Sequence, residues 1–134
     1  MNKTNLVCLD VGEKRIGVAV ADSAVRIAIP LTTVDVNGSE IQEISQIIST
    51  EEATTIVIGF PRNQQGEATA QSAYAERFAE QLVDFGKIVF QDESLTSVLA
   101  EDRLKQTGKP YGKGDIDAAA AAIILQDYLE VTYG

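Results

Sequence analysis

The chain contains no histidine, no tryptophan and a single cysteine among its 134 residues. Without an imidazole it cannot carry out Ser-His-Asp hydrolysis, activate a thiol through histidine or build a histidine-containing metal site. The lone Cys8 also excludes an internal disulfide and a thiolate zinc site. Any acid–base or metal chemistry must therefore depend on carboxylates, lysine, tyrosine or water.

Long apolar runs are also missing. The sequence has no run of about 18 apolar residues, the length that a membrane-spanning helix requires. Its start, Met1-Asn2-Lys3, is followed by a strand-like segment rather than by the apolar stretch of a signal peptide. These absences predict a cytoplasmic protein with no membrane partner. The length and the 45% apolar content predict a single domain over residues 1–134.

Positive charge is scarce, with 11 lysines and arginines against 20 acidic residues and a net charge of −9. Such a balance argues against a protein that coats nucleic acid in general, because that binding requires cations to neutralise phosphates. The imbalance lies in the middle of the chain, since residues 30–102 carry three cations and thirteen acids. By contrast, Arg103 to Lys113 holds four cations and no acid, which predicts a locally basic surface.

The hydropathy pattern predicts the element order βββαβαβαα. The predicted strands are Asn5–Asp10, Ile16–Asp22, Ile27–Val34, Thr55–Phe60 and Lys87–Gln91. The predicted helices run from an N-cap at Ser39 to about Ser49, and over Ala68–Phe85, Leu95–Gln106 and Asp115–Tyr128. Short turns between the first three strands indicate antiparallel pairing, and helical connections to the later strands indicate parallel pairing. The fold class is therefore α/β, with a mixed five-stranded sheet flanked by helices.

Three acids lie at ends of these elements. Asp10 ends the first strand, Glu93 follows the fifth, and Asp117 lies in the first turn of the last predicted helix. Parallel strands release their C-terminal ends at one edge of a sheet, where open α/β sheets usually place ligands. Carboxylates clustered there would repel one another unless a cation were bound, and Mg²⁺ or Mn²⁺ prefers such oxygen ligands. Two such ions hydrolyse phosphodiesters without histidine.

Each acid also has an ordinary structural interpretation. Asp10 can cap the turn that follows its strand, and Glu93 can be a solvated loop residue with Asp92 as a competing candidate. Asp117 can complement the helix dipole while Asp115 serves as N-cap. The spacing of these residues leaves both interpretations open.

Two loops carry groups that suit a phosphate backbone. Gly12 and Gly17 flank Lys14 and Arg15 in the first turn. Glycine there permits the backbone to approach phosphate closely while the two cations bind it. The alternative is an ordinary glycine-containing hairpin. Arg62 and Asn63 lie in a loop that leads into a helix, which either holds phosphate or simply connects strand to helix. Lys113 ends the basic run and is the further candidate for binding substrate.

Four segments together resemble the YqgF family, and they occur in order over nearly the whole chain. They are Leu9-Asp10-Val11-Gly12-Glu13-Lys14-Arg15-Ile16-Gly17-Val18-Ala19 with Asp22; Val57-Ile58-Gly59-Phe60-Pro61 with Gly66; Asp92-Glu93-Ser94-Leu95-Thr96-Ser97 with Ala100-Glu101; and Ile116-Asp117-Ala118-Ala119-Ala120 with Ile124-Leu125-Gln126 and Tyr128-Leu129. Members of this family are small bacterial proteins described as similar to Holliday-junction resolvases and as nucleases that mature the 5′ end of pre-16S ribosomal RNA.

The resemblance implies a ribonuclease-H-like fold and an acidic metal-binding triad of Asp10, Glu93 and Asp117. The expected activity is a Mg²⁺- or Mn²⁺-dependent phosphodiester hydrolysis in ribosome biogenesis. The expected partners are structured RNA, above all precursor 16S ribosomal RNA, and the assembling small ribosomal subunit. Monomer and dimer both remain open.

One position departs from the family pattern. The family usually has Asp-Glu-Arg-Leu-Thr where this chain has an uncharged Ser94 after Glu93, so an arginine suited to phosphate is missing; Arg62 and Arg103 are the candidates to supply the charge. Two other functions stay open, namely cleavage of four-way DNA junctions by a dimer and binding of ribosomal RNA without catalysis. The first hairpin also resembles the phosphate loop of sugar kinases and actin-like ATPases, but these need a second domain.

Overall fold

A mixed sheet of five strands forms the centre of the computed structural model, which describes residues 3–61, 67, 69–93 and 96–134, with the backbone alone for residues 93 and 96–99. The strands are β1 (Asn5–Val11), β2 (Arg15–Asp22), β3 (Ile29–Asp35), β4 (Thr55–Pro61) and β5 (Lys87–Glu93). The helices are α1 (Glu40–Thr50), α2 (Ala70–Glu80), α3 (Thr96–Thr107) and α4 (Lys113–Tyr133).

The strand order across the sheet is β3-β2-β1-β4-β5. β1 pairs antiparallel with β2, and β2 pairs antiparallel with β3, because connections of three and six residues without a helix join them. β4 pairs parallel with both β1 and β5, because each connection between them contains a helix. The predicted mixed topology is therefore confirmed, and the C-terminal ends of β1, β4 and β5 share one edge of the sheet.

The two faces of the sheet bury separate apolar clusters. On one face Val7 and Leu9 of β1 pack with residues of α1 and α2, including Ile44 and Phe78. On the other face Leu6 and Cys8 of β1 pack against α4, whose alanines 118–122 are buried and allow the helix to lie close to the strands. Alternation along β1 therefore assigns each side chain to one of the two faces.

Several element ends differ from the sequence predictions. β3 begins at Ile29 rather than Ile27, and both isoleucines are exposed at the sheet edge. α2 ends at Glu80 rather than at Phe85, because the chain turns after it and Leu82 is buried from that turn. The predicted N-cap Ser39 makes no side-chain capping bond; instead Glu40 accepts the backbone N–H of Gly38 at 2.7 Å.

α4 begins two residues earlier than predicted, and this changes the position of its acids. Its N-cap is Gly112, so the expectation that Asp115 is the N-cap is wrong. Asp115 instead accepts the backbone N–H of Gly112 at 2.9 Å from within the first turn. Asp117 consequently lies one turn into the helix, beyond the positions where a carboxylate best complements the helix dipole. Capping does not explain its presence.

Within the described part of the chain, none of the helices is both long and apolar enough to cross a membrane.

Candidate active site

Asp10 is the first polar position on the face of β1 that α4 covers. It follows Leu6 and Cys8 on that face and lies at the C-terminal end of the strand, as the sequence predicted. It is paired across the ladder with Gly17 of β2. The strand therefore directs this carboxylate under the N-terminal half of α4, at the edge where β1, β4 and β5 end.

Gly17 brings Asp117 to the same place. A Cβ atom at position 17 would overlap the backbone carbonyl of Asp117, so only glycine allows α4 to lie this close to β2. The sequence analysis considered Gly17 as a point of phosphate approach, but its space is occupied by the helix backbone. Because Gly17 is the ladder partner of Asp10, this contact places Asp117 beside Asp10.

The proximity of the two acids affects the pKa of Asp10. Burial beneath α4 and, secondarily, the negative charge of Asp117 raise the pKa of Asp10 from 3.8 to about 6. The chain thus holds an anion where it is poorly solvated and repelled by a neighbour. Such an arrangement is stabilised by a proton or by a bound cation, and perturbed carboxylates of this kind cluster at functional sites.

Arg15 provides the positive charge nearest to Asp117. Its Nε donates a hydrogen bond to Oδ2 of Asp117 at 2.6 Å, and the two side chains are 35% and 25% exposed. The sequence analysis assigned Arg15 to the substrate backbone, whereas the structure shows it bound to a predicted metal ligand. The guanidinium is partly solvated and can exchange this carboxylate for another anion, because exposed ion pairs are weak.

An open cleft of about 410 Å³ surrounds this ion pair, and it is lined by Gly12, Glu13, Lys14, Arg15, Gln71 and Asp117. Lys14 is exposed at its rim. Gln71, which the sequence analysis missed, donates from Nε2 to the backbone carbonyl of Val11 at 3.1 Å and so ties α2 to the end of β1. A single amide in a helix carries no sequence signal for such a role.

Glu93, the third predicted ligand, is the last residue of β5. Its backbone pairs with Pro61 at the end of β4, so it lies at the same edge of the sheet as Asp10. Among the side chains that the structure describes, no group of three or more histidine, cysteine, aspartate or glutamate residues could hold a metal ion. The side chain of Glu93 lies outside the described part, and the described acids of the site are Asp10 and Asp117.

The remaining candidates differ in position. Lys113 is exposed in the first turn of α4, four residues before Asp117 and thus on the same side of the helix. Arg62, Asn63 and Ser94 lie outside the described residues.

Arg103 lies near enough to Asp127 that its charge opposes the rise in the pKa of Asp127. Asp127 is almost three helical turns from Asp117 along α4.

The residues present fit a divalent cation. Asp10 and Asp117 offer carboxylate oxygens, which are the ligands that Mg²⁺ and Mn²⁺ prefer, and a cation would relieve the repulsion that raises the pKa of Asp10. The open cleft leaves room for water and for a phosphate on the metal. The chemistry of this donor set is that of hard, oxygen-bound metals rather than of zinc.

Curated relatives match the chain over most of its length. A protein of Chloroflexus aurantiacus named "Putative pre-16S rRNA nuclease" is 42% identical, with 97% of this chain and 89% of that protein covered. A protein of Synechocystis with the same name is 38% identical, with coverages of 92% and 85%.

Two solved structures share the fold at low sequence identity. RuvC of Thermus thermophilus in complex with a Holliday junction substrate has a TM-score of 0.60 and 13% identity, covering 98% of this chain and 97% of RuvC. The Fowlpox virus resolvase, in complex with Holliday junction DNA, has a TM-score of 0.63 and 10% identity, covering 98% of this chain and all of the resolvase chain (100%). These neighbours confirm the ribonuclease-H-like fold.

The family model described as "RuvX: Holliday junction resolvase" matches residues 4–131. This is the YqgF family that the four sequence segments indicated. The chain belongs to the RuvX family.

Proposed function

We propose that this protein is a divalent-metal-dependent nuclease that hydrolyses phosphodiester bonds in the 5′-end maturation of precursor 16S ribosomal RNA, with residues 1–134 acting as one nuclease domain. The observation that carries the proposal is the buried Asp10, whose raised pKa reflects both burial and the neighbouring Asp117. The chain holds two acids together at the sheet edge, and their mutual repulsion is relieved by a metal ion.

The metal would be Mg²⁺ or Mn²⁺, held by Asp10, Glu93 and Asp117. Glu93 is included because its backbone ends β5 opposite Pro61 of β4, at the same edge of the sheet as Asp10. When bound, the metal would supply an activated water and stabilise charge on the phosphate.

The cations around the cleft would position the RNA backbone. Lys14 at the rim and Lys113 one turn before Asp117 are exposed and able to contact phosphates. Arg15 would leave Asp117 when the metal binds and then pair with a phosphate. Arg62 and Asn63 remain proposed substrate contacts on the strength of the sequence alone.

The choice of RNA rests on the relatives, since proteins up to 42% identical are named for pre-16S ribosomal RNA. A cytoplasmic location and an association with the assembling small ribosomal subunit follow from that substrate. Cleavage of four-way DNA junctions is the second candidate, favoured by the family description and by the RuvC complex. It requires a dimer, because a junction resolvase cuts two symmetric strands.

A metal-titrated cleavage assay tests the proposal. Purified protein is incubated with precursor 16S RNA or with a four-way DNA junction, using wild type, Asp10→Asn and Asp84→Asn in parallel. Asp84 is exposed and lies between α2 and β5, so its variant removes a charge outside the site. We expect wild type and Asp84→Asn to cut RNA only with Mg²⁺ or Mn²⁺, and Asp10→Asn to be inactive.

Three results would count against this function. Cleavage that persists in EDTA or in Asp10→Asn would exclude the metal mechanism. Preferential cutting of the junction by a dimer would favour the resolvase. RNA binding that persists without metal and in Asp117→Asn, together with no cleavage, would indicate a binding module.

A further inference from the structure

A groove separate from the acidic cleft lies between β3 and the connection from α3 to α4. Its volume is about 630 Å³, larger than that of the cleft beside Asp117. One wall is formed by Pro30, Leu31, Thr32 and Thr33 of β3, and the other by Thr107, Lys109, Pro110 and Tyr111. The floor is formed by the first two turns of α4, where Ala118 and Ala119 leave space.

The charge of this groove differs from that of the molecule. The β3 side from residue 27 to residue 34 carries no charge, and the opposite side belongs to the acid-free stretch from Arg103 to Lys113. Asp115, the acid of the lining, is held by its hydrogen bond to the backbone N–H of Gly112. Lys105 is paired with Glu101 at 3.5 Å, whereas Lys109 lines the groove and is exposed. An anionic ligand therefore meets less repulsion here than over residues 35–102, which hold three cations and thirteen acids.

The groove also presents surfaces that suit flat, apolar groups. Tyr111 is half-buried in its wall, and Leu31 across from it is 42% exposed. Exposed prolines flank both residues. Aromatic rings beside cations are the means by which proteins bind unpaired nucleotides, since bases stack on the ring while lysine contacts phosphate.

The groove leads to the candidate active site. Asp115 and Ala118 line it, and Asp117 between them in sequence lines the acidic cleft, so the two openings lie on different sides of the same two helical turns. Thr33 donates from Oγ1 to the backbone carbonyl of Gly114 at 2.5 Å, which fixes the N-terminal end of α4 against β3. A polynucleotide crossing the start of α4, past the exposed Lys113, occupies both openings at once.

We propose that this groove binds an unpaired segment of the RNA substrate, with Tyr111 stacking on a base and Lys109 contacting phosphate. A duplex is a poorer occupant, because its base faces are stacked internally and unavailable to Tyr111. The identity of the substrate as RNA is taken from the proposed function. The groove then favours substrates with a single-stranded segment next to the cleavage point.

Fluorescence anisotropy with a labelled twelve-nucleotide oligouridine tests the groove in the uncleaving Asp10→Asn background. We expect Tyr111→Ala to weaken binding about tenfold or more, as the loss of a stacked base does, and Tyr111→Phe to retain it. Lys109→Gln should weaken binding. It should also reduce the slope of log affinity against log salt concentration by about one, the loss of one phosphate contact. Lys87→Gln at the start of β5 should change neither the affinity nor the slope. A blunt-ended twelve-base-pair RNA duplex should bind more weakly than oligouridine, because it has no unpaired bases.

The thermal midpoint of each variant is measured first, and the exposed Lys109 gives a readout that does not depend on the folding of the Tyr111 variant. Unchanged binding in a folded Tyr111→Ala, equal losses in Lys109→Gln and Lys87→Gln, or stronger binding of the blunt-ended duplex would each overturn the groove proposal. The proposed nuclease function fails by a different result, namely cleavage by Asp10→Asn. The two failures are therefore distinguishable.

Discussion

The two faces of β1 differ at a single position. On the face covered by α1 and α2, the side chains of Val7, Leu9 and Val11 are all apolar and buried. On the face covered by α4, Leu6 and Cys8 are equally buried, but the next residue is Asp10. The same strand therefore supplies a continuous core on one face and a core that ends in a carboxylate on the other. We therefore expect mutations on the α1 and α2 face to affect mainly the stability of the fold, and mutations on the α4 face to affect mainly the proposed activity.

The sharpest test of this separation is Asp10→Asn. We expect cleavage to fall about a thousandfold or more, because a ligand of the metal is lost and metal contributions to phosphoryl chemistry amount to several kcal/mol. The fold should persist, since the amide keeps the size of the side chain. Single-turnover cleavage and circular dichroism measure the two effects, with Asp84→Asn as the control. An unfolded Asp10→Asn would contradict the assignment of chemistry to this face.

The opposite face is tested by Leu9→Ala. Leu9 is completely buried, so its truncation should lower the free energy of unfolding by about 2–5 kcal/mol. Urea denaturation measures the loss, and isothermal titration measures Mg²⁺ binding in the folded fraction. We expect the Mg²⁺ affinity to be unchanged within error. A large loss of affinity in folded Leu9→Ala would show that the two faces are not independent.

The pKa of Asp10 predicts a pH dependence that the other face lacks. Because the pKa rises from 3.8 to about 6 on folding, the folded chain binds this proton more tightly than the unfolded chain. In EDTA, the stability that the proton contributes is present below about pH 4 and is lost as the pH rises through about 6, on the order of 3 kcal/mol. Asp10→Asn should remove this dependence and be more stable than wild type at pH 7.

Mg²⁺ binding should show the opposite trend, since the metal requires the ionised carboxylate. Its affinity should fall as the pH is lowered through about 6. Thermal melts in EDTA and titrations between pH 5 and 8 measure both trends. A flat pH profile for wild type in EDTA would show that Asp10 is not perturbed.

The smallest expected effect concerns Arg15. Its ion pair with Asp117 is partly exposed, so Arg15→Gln should change the free energy of unfolding by less than about 1 kcal/mol. Removing a competing cation should tighten Mg²⁺ binding roughly fivefold, which is of the same energetic order. Arg77→Gln on the exposed side of α2 is the matched control. Weaker Mg²⁺ binding by Arg15→Gln would mean that Arg15 supports the metal site instead of competing with it.

The sequence predicted the sheet because its strands are short, β-branched and separated by clear turns. It also predicted that Asp10 lies at the C-terminal end of β1, because a carboxylate at the end of a buried strand is conspicuous. The start of α4 was misjudged because Gly112 caps it without a side chain and Gly114 weakens the helical pattern of its first turn. The role of Gly17 was not predictable, since a glycine does not reveal which backbone approaches it.

The same limit applies to the pairs that build the site. The hydrogen bond between Arg15 and Asp117 joins residues 102 positions apart, and no local pattern encodes such a contact. Motifs supply the chemical groups, but their partners depend on how α4 packs across the sheet.

That separation in sequence also determines when the site can exist. Asp10 and Arg15 are synthesised before Asp117, which belongs to α4, the last helix of the described fold. Until α4 has docked on β2, a nascent chain holds one half of its acidic pair and an uncovered sheet face. Docking of α4 is therefore the step that completes both the core on this face and the pair of acids on which the proposed activity depends.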